Sequence, residues 1–369
     1  MIDRIESDLH VCLICIEFFG DSIYGGFGRS TRFIGAELAR LGVKVSVVVP
    51  RRSPELLDLY EIDGMVVWQY QATRPWQGIK LLRKINADIY HSQDTSLTSY
   101  LAQRARPSAK HAITFRDPMD SEDWQVETAY AGMRRLGWAQ YRYFIMNPFV
   151  SLAVRRADSL HTAARFLEAK CARLYGLNQN PKFLASPIDI PKETKKAARP
   201  TVCYVGRWEG RKRVELFFEL ARERPEIDFV AIGGARDTRL DSQLRERYSQ
   251  IANLRMTGVL DQFNSPQWSE ELGQSWILIN TSLREGLPTT FLEAAAHRCA
   301  LLSFTDPDGF ASQFGVVAEE GRLAEGLDRL LDKNRWRALG QAGFQAVESE
   351  FGTEYAIQAH LALYRTLLS

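Results

Sequence analysis

Apolar runs typical of buried strands alternate with amphipathic helices from the start of the chain. A strand at about 9–18 contains the run VCLICIEFF and is followed by a glycine loop, a helix from about Ser30 to Leu41, and the β-branched run KVSVVVP. Strands that are apolar on both faces and separated by a helix are typical of a parallel sheet covered on both sides. Further strands are predicted at 64–70, 88–91, 111–115 and 158–161.

The alternation of strands and helices restarts after PKETKKAARP (191–200), a polar stretch flanked by prolines that is typical of a linker. The second series of strands is TVCYVG, DFVAIGG, LRMTGVL, WILINTS and ALLSF. We therefore predict an α/β protein with two doubly wound, Rossmann-like domains facing a central cleft. The N-terminal domain is expected over 1–190 and the C-terminal domain over 191–352, with ligands at the carboxyl ends of the strands.

A last amphipathic helix is predicted over about 353–369. Its broad apolar stripe must pack against another part of the protein. Periodicity leaves two alternatives open, because the helix can close the second domain or pack back on the first.

Composition and charge narrow the function classes. The 369 residues carry 47 Lys+Arg against 45 Asp+Glu, and so small an excess argues against a nucleic-acid protein that neutralises many phosphates. The charge is unevenly divided, because residues 1–190 hold 24 Lys+Arg and 20 Asp+Glu. No signal peptide or membrane span is visible, so a soluble, cytoplasmic protein is expected.

Five scattered cysteines do not suggest a disulfide framework. Cys12 and Cys15 form C-x-x-C inside a strand, where a spacing of three points the two thiols to opposite faces. We expect buried structural thiols there, with a redox or metal pair as the alternative.

The stretch TSLREGLPTTFLEAAA (281–296) carries the clearest candidate chemistry. It follows the strand WILIN, and a helix is predicted to begin at about 288, with the two threonines that follow as capping residues. The N–H groups at a helix N-terminus suit a phosphate or diphosphate. Glu285 and Glu293 flank this point, and carboxylates repel phosphate, so we expect them to accept hydrogen bonds from hydroxyls on either side. A nucleotide sugar has that layout; a capped helix without a ligand is the alternative.

Four motifs in order resemble one known family. EGLPTTFLE (285–293) resembles the EX7E motif of retaining glycosyltransferases of the GT-B fold, most closely those of glycosyltransferase family 4. GGFG (25–28) resembles the first glycine loop of that family, and GRWEGRK (206–212) resembles its G-R-x-x-x-x-K stretch. LASPID (184–189) lies where the family has a domain-closing Asn-x-x-Asp loop. The resemblance covers nearly the whole chain.

The resemblance implies a metal-independent transfer of sugar from a UDP-, GDP- or ADP-linked donor to a hydroxyl of a glycan, glycolipid or small molecule. Glu285 would contact the donor sugar, while Arg207 and Lys212 would hold the diphosphate and stabilise its charge as it leaves. Glu293 would bind the ribose hydroxyls. The other positions implied in donor binding are Gly286, Leu287, Pro288, Thr289, Thr290, Gly26, Gly258 and Leu260. No His/Cys cluster has the spacing of metal ligands.

The chain departs from the family pattern where the family often has a histidine after a first-domain strand. Arg116 occupies that position, in AITFRD. Its side chain could bind an anionic group of the donor or acceptor, or it could pair with Asp117 or Asp120. Gly25, His91, Asp94 and Asp117 are further candidates for substrate binding in this domain, with a structural role as the alternative for His91.

Three more departures lie further along the chain. Ser186 replaces the asparagine of the Asn-x-x-Asp loop, and Arg298 and Ala300 stand where the family has the glycine and proline of a tight turn. We expect that turn to be less constrained here. DPDGFASQFG replaces a G-G-x-x-E loop, which places Asp308, Gly309 and Phe310 where the family contacts the sugar.

Arginines and aromatic residues alternate over 134–156. Such a segment fits the water interface of a membrane, an acidic oligosaccharide acceptor, or a helix whose aromatic side is core.

Two other function classes compete with a glycosyltransferase. One is a catalytically degenerate relative that acts as a binding or regulatory partner. The other is a dinucleotide-dependent oxidoreductase, which the glycine loop alone suggests and the missing G-x-G-x-x-G pattern argues against.

Overall fold

A computed structural model describes most of the chain and divides it into two compact units. The first unit comprises Met1–Trp124, Arg135–Pro187 and Glu354–Ser369, and the second comprises Gln125–Arg134 and Ile188–Thr353. The described residues are 8–19, 25–51, 58–71, 74, 76–129, 134–208 and 210–369, and the side chains of 134–137 lie outside this description.

The first unit is built on a sheet that has eight strands among the described residues. The strands are β1 His10–Ile14, β2 Lys44–Arg51, β3 Leu59–Ile62, β4 Met65–Gln71, β5 Ile89–Ser92, β6 Lys110–Phe115, β7 Ser159–Thr162 and β8 Lys182–Phe183. Their order is β3-β4-β2-β1-β5-β6-β7-β8, and every pair is parallel except β3 with β4. The apolar runs form the central strands because both faces of the sheet are covered.

Helices lie between these strands along the chain. They are α1 Gly26–Arg40, α2 Gln77–Ile85, α3 Leu97–Ala105, α4 Ser121–Ala129, α5 Arg134–Phe144, α6 Pro148–Arg156 and α7 Leu167–Tyr175. Of these, α4 crosses from the first unit into the second at Gln125. Neighbouring residues of β1 belong to different cores. Leu13 packs with β2 and α1, whereas Cys12 packs with α2 and α3. Cys15 lies in the same core as Leu13, so the thiols of the C-x-x-C pair point to opposite faces, as predicted. All five cysteines are buried and free.

The second unit has a sheet of six described strands, all of them parallel. The strands are β9 Thr201–Arg207, β10 Asp228–Gly234, β11 Leu254–Gly258, β12 Ile277–Asn280, β13 Ala300–Ser303 and β14 Gly315–Val317. The helices are α8 Val214–Glu223, α9 Thr238–Tyr248, α10 Gln267–Gln274, α11 Thr289–Ala296, α12 Phe310–Phe314, α13 Leu323–Leu331 and α14 Arg335–Glu350.

Both sheets follow the doubly wound order. In the second unit the order is β11-β10-β9-β12-β13-β14, so the chain reverses its direction of winding between β9 and β12. In the first unit the corresponding reversal lies between β1 and β5. Loops at such a switch point diverge and leave a crevice at the carboxyl ends of the strands. The prediction of two Rossmann-like α/β domains is confirmed.

The last helix, α15 (Thr353–Leu368), packs on the first sheet. Ile357, Leu361 and Tyr364 are buried in the core that contains Leu13 of β1. Among the described helices, none has both the length and the apolar character needed to cross a membrane.

Candidate active site

Glu285 lies in the loop between β12 and α11 and is surrounded by donors. Its carboxylate accepts hydrogen bonds from Lys212 Nζ and from Asn280 Nδ2 at 3.3 Å, and Arg211 Nη1 lies 3.5 Å away. The Glu285 side chain is only 7% exposed. The structure therefore brings together two of the residues singled out by the sequence, Glu285 and Lys212, at the switch point of the second sheet.

Hydrogen bonds between the loops after β9 and β12 hold this pair in place. Leu283 N–H donates to Arg211 O at 3.0 Å, and Thr281 Oγ1 donates to Lys212 O at 2.6 Å. Arg213 Nε donates to Thr281 O at 3.0 Å. Because these bonds join the two loops, the Lys212 ammonium and the Glu285 carboxylate are preorganised rather than free to separate.

Burial and charge act in opposite directions on this pair. Burial opposes the ionisation of Glu285, but Lys212 and Arg211 outweigh it and lower the pKa of Glu285 to about 2. Burial lowers the pKa of Lys212, and Glu285 works against that shift. Arg211 also pairs with Glu127. Glu285 is consequently a fixed carboxylate at neutral pH.

The N-terminus of α11 lies directly after the Glu285 loop. Pro288 occupies the position before the helix, and no side chain caps the N-terminus. The expectation that Thr289 and Thr290 act as caps is therefore wrong, because both lie inside the first turn. Glu293 follows one turn later and is 9% exposed. The chain between the two glutamates, including Gly286 and Leu287, runs into the helix start.

Three other predicted donor positions lie at the same edge of the second sheet. Arg207 is the last residue of β9, and its carbonyl accepts a hydrogen bond from Tyr204 OH at 3.0 Å. Gly258 ends β11 with a φ of +86°, and Leu260 follows two residues later. Since β11 is separated from β9 by β10, Gly258 and Leu260 lie further from Glu285 along the sheet edge.

The loop DPDGF turns sharply through two left-handed residues, Asp308 with φ +57° and Gly309 with φ +68°. Ser312 N–H closes the turn by donating to Asp306 Oδ1 at 3.0 Å. The Phe310 ring is buried and lies against Phe291 of α11, with ring centroids 6.5 Å apart. The Phe310 ring thus anchors the loop on α11 and is not exposed at the surface. Among the described residues, no group of three His, Cys, Asp or Glu side chains is placed to hold a metal ion.

In the first unit, the glycine loop contacts the carboxylate of Glu17. Gly28 N–H donates to Glu17 Oε1 at 3.1 Å, at the start of α1. A Cβ at Gly25 would collide with the Glu17 carboxylate, so a side chain there would displace the end of the Glu17 side chain. Gly26 is the first residue of α1 and is half-buried. Glu17 was not among the residues predicted from the sequence, although its place shortly after a buried strand is a usable signal.

Arg116 and Ser186, two of the departures from the family pattern, contact each other. Arg116 Nη1 donates to Ser186 Oγ at 2.9 Å, and its Nε and Nη2 donate to Gln93 O at 3.1 Å and Gln93 Oε1 at 2.5 Å. Burial lowers the pKa of Arg116 to about 10. Asp120 instead lies 3.8 Å from Lys170. Each of these three Arg116 nitrogens therefore has a neutral oxygen partner.

His91 is fully buried, and both ring nitrogens have partners. Nδ1 lies 2.9 Å from Tyr364 OH of α15, and Nε2 lies 2.7 Å from Thr114 Oγ1. A histidine satisfied in this way has no nitrogen left for a sugar hydroxyl, so the geometry favours the structural alternative.

Asp94 follows the same strand as His91 but is only half-buried. Its carboxylate accepts a hydrogen bond from Thr95 N–H at 2.8 Å. Burial raises the pKa of Asp94 to about 7, with a further contribution from Asp117 after the neighbouring strand. The two carboxyl groups thus lie at the switch edge of the first sheet, where Asp94 can exchange a proton near neutral pH.

Arg298 adopts the left-handed conformation, with φ +58°, that the family provides with glycine. The expectation of a less constrained turn is therefore wrong. Its guanidinium lies 3.7 Å from the centroid of the Phe344 ring, and Nη1 donates to Thr194 Oγ1 at 2.9 Å. These contacts offset the strain of a side chain in this conformation.

We expect Arg298→Gly to be more stable than Arg298→Ala by about 1 kcal/mol, because both variants lose the guanidinium contacts but only glycine tolerates a positive φ without strain. Urea unfolding of the two variants measures the difference. Equal stability would contradict a left-handed residue at this turn.

The comparisons with known proteins agree with this architecture. Residues 25–182 match the family described as glycosyl transferase 4-like domain, and residues 186–342 match glycosyl transferases group 1. The search of curated protein sequences finds no match.

Solved structures of the same fold cover almost the whole chain. Sucrose-phosphate synthase from Thermosynechococcus elongatus is 17% identical with a TM-score of 0.77, covering 98% of this chain and 99% of that chain. HepE from Anabaena, in complex with UDP-glucose, is 11% identical with a TM-score of 0.67, covering 96% and 99%. The catalytic domain of starch synthase IV from Arabidopsis thaliana, bound to ADP and acarbose, is 13% identical with a TM-score of 0.63, covering 97% and 99%.

Identities this low show the fold alone, whereas the two family matches follow one another over most of the chain. With its two doubly wound units, this chain is a glycosyltransferase of the GT-B fold, in which a glycosyl transferase 4-like domain precedes a glycosyl transferases group 1 domain.

Proposed function

We propose that this glycosyltransferase moves a sugar from a nucleoside diphosphate sugar to an acceptor hydroxyl, without a metal and with retention of anomeric configuration. The observation that carries the proposal is the buried Glu285–Lys212 pair beside the uncapped N-terminus of α11. A carboxylate for hydroxyls, a cation and the backbone N–H groups at a helix N-terminus are the three kinds of partner that a sugar diphosphate needs.

Each polar group in this site is suited to bind a different portion of the donor. Lys212 and Arg207 would bind the diphosphate, and backbone N–H groups between Gly286 and Thr290 would complete its coordination. Glu285 would accept hydrogen bonds from the donor sugar, and Glu293 from the ribose. Because Lys212 is fixed by Glu285 before the donor arrives, it would stabilise the charge that develops on the leaving diphosphate without a cost of reorganisation.

Retention follows from attack on the face that the diphosphate leaves. The bond between the sugar C1 and the phosphate oxygen breaks first, which gives an oxocarbenium-like sugar. The released phosphate oxygen then takes the proton of the acceptor hydroxyl, and that hydroxyl oxygen bonds to C1 on the same face. The step needs no protein nucleophile, in agreement with the commitment of Glu285 to Lys212.

The nucleotide is a UDP, GDP or ADP derivative. Among proteins of this fold, Anabaena HepE binds UDP-glucose and Arabidopsis starch synthase IV binds ADP, so the fold accommodates more than one base. A glycan, glycolipid or small molecule would be the acceptor. The retained Glu285, Glu293, Arg207 and Lys212 disfavour a catalytically degenerate protein.

Replacing Lys212 with Ala tests this proposal. We expect kcat to fall about a hundredfold or more, because the leaving diphosphate loses a preorganised cation. A thermal-shift screen of the three nucleotides selects the donor, and the anomer of the transferred sugar is read by NMR. Lys195→Ala, at an exposed lysine of the same unit, is the matched control. Inverted product, or near-normal turnover in the Lys212 variant, would overturn the assignment.

A further inference from the structure

Three long stretches, which lie in the first unit apart from residues 128–134, contain no Asp or Glu at all. They are residues 64–87, 95–116 and 128–157. Lys and Arg are common in the same stretches. These cations are Arg74, Lys80, Arg83, Lys84, Arg104, Arg106, Lys110, Arg116, Arg134, Arg135, Arg142, Arg155 and Arg156. The small positive charge of the whole chain therefore conceals a strongly polarised distribution.

The fold brings the acid-free stretches together. They supply helices α2, α3, α5 and α6, of which α2 packs on α3 and α3 packs on α6. Gln103 Nε2 of α3 donates to Ala153 O of α6 at 2.8 Å, and the rings of Tyr100 and Phe149 lie 5.0 Å apart. Helix α5 leads directly into α6, where Ser151 Oγ donates to Ile145 O at 3.2 Å. We call the outer side of α2, α3, α5 and α6 the basic face.

The basic face also exposes large apolar side chains. Trp138 is 55% exposed, Met146 58% and Phe149 49%, and Trp76 beside α2 is 63% exposed. Tyr143 of α5 is exposed as well. The cations Lys80, Arg83, Lys84, Arg104, Arg142, Arg155 and Arg156 are exposed on the same helices. Large apolar side chains that stay exposed on successive helices are a feature of interaction surfaces.

We propose that the basic face binds the surface of an anionic lipid bilayer. Lys and Arg are attracted to the negative headgroups, and the exposed Trp, Tyr, Phe and Met side chains suit the boundary between headgroups and acyl chains. An acidic polymer in water would satisfy the cations but would leave these side chains exposed to solvent. The combination of both features therefore favours a membrane. This inference is independent of the sugar chemistry, since the basic face includes none of the residues assigned to the donor.

Flotation of the full chain with lipid vesicles tests the proposal. We expect binding to vesicles of equal parts phosphatidylcholine and phosphatidylglycerol, none to phosphatidylcholine alone, and weaker binding as salt screens the charges. Arg155→Glu with Arg156→Glu should weaken the partition coefficient by at least about tenfold. The matched control is Arg335→Glu with Arg337→Glu, two exposed arginines of α14 in the second unit, which should change it little. Equal losses in both double variants would overturn a localised surface.

A second pair of variants separates a membrane from a soluble polyanion. Trp138→Ser with Phe149→Ser keeps the charge but removes apolar area, and it should reduce vesicle binding about tenfold while leaving retention on dextran sulfate unchanged. Tyr355→Ser, at a 57% exposed residue of α15, is the control. Full vesicle binding by the aromatic variant would overturn the proposal and assign the basic face to an acidic polymer.

Discussion

Replacing Glu285 with Gln is expected to lower the rate of sugar transfer about a hundredfold to a thousandfold, while the second unit stays folded. The substitution keeps the shape of the side chain and removes its charge. Lys212 and Arg211 then face a neutral amide, which cannot fix the ammonium in the same way or accept as strongly from a sugar hydroxyl. Initial rates at saturating donor, with circular dichroism of both proteins, measure the effect.

Glu320→Gln is the control for this prediction. Glu320 pairs with Arg213 one residue beyond Lys212, but its side chain is 74% exposed, and such surface pairs contribute little. We expect its rate to stay within about twofold of the wild type. A Glu285→Gln protein as active as the Glu320→Gln protein would remove Glu285 from the site.

The Glu285→Gln variant should also change how the stability of the protein depends on pH. Because the pKa of Glu285 is lowered from 4.5 to about 2, its ionised form stabilises the folded state above pH 4.5, and this contribution is lost as the pH falls through about 2. The difference in unfolding free energy between wild type and Glu285→Gln should therefore narrow as the pH is lowered from 7 to 3. A difference that stays constant over this range would contradict the lowered pKa.

Replacing Tyr364 with Ala is expected to destabilise the first unit by about 3–5 kcal/mol. Tyr364 of α15 is fully buried in the core with Ile357 and Leu361, and its hydroxyl lies 2.9 Å from His91 Nδ1. Truncation leaves a large cavity and removes the partner of a buried ring nitrogen. Urea unfolding followed by fluorescence and circular dichroism measures the loss.

Two further variants separate the loss of the Tyr364 hydroxyl from the loss of its buried ring. Tyr364→Phe removes the hydroxyl alone and should cost about 1–3 kcal/mol, because His91 Nδ1 is left unsatisfied. Tyr355→Ala, at an exposed position of the same helix, should change stability by less than about 0.5 kcal/mol. If Tyr364→Ala were as stable as Tyr355→Ala, α15 would not be part of this core.

Periodicity along the chain was sufficient for the fold class. The runs VCLICIEFF and KVSVVVP are apolar on both faces, and they became the central strands β1 and β2 of a covered parallel sheet. The second series, from TVCYVG to ALLSF, became β9 to β13. Local patterns of this kind report burial directly, because a strand between two layers of helices must be apolar on both sides.

Part of the candidate site was also indicated in advance. The family resemblance implied that Lys212 and Glu285 contact the diphosphate and the sugar of one donor, and the motifs that carry them, GRWEGRK and TSLREGLP, lie at the ends of predicted strands. The sequence did not show that these two residues pair directly or that Asn280 and Arg211 complete the set. Those partners depend on the conformations of two loops that are fixed by hydrogen bonds between them.

The amino-acid sequence by itself determined the two doubly wound units, the buried thiols and the loops that carry the polar groups, since each follows from nearest neighbours along the chain. The tertiary structure alone decided that Arg116 and Ser186 contact each other, that Arg298 takes a left-handed conformation, and that α15 packs on the first sheet. Residues far apart in sequence meet in these features. An amphipathic stripe or a replaced motif residue indicates that a packing partner exists. Which residues form that partner is determined only when the chain is folded.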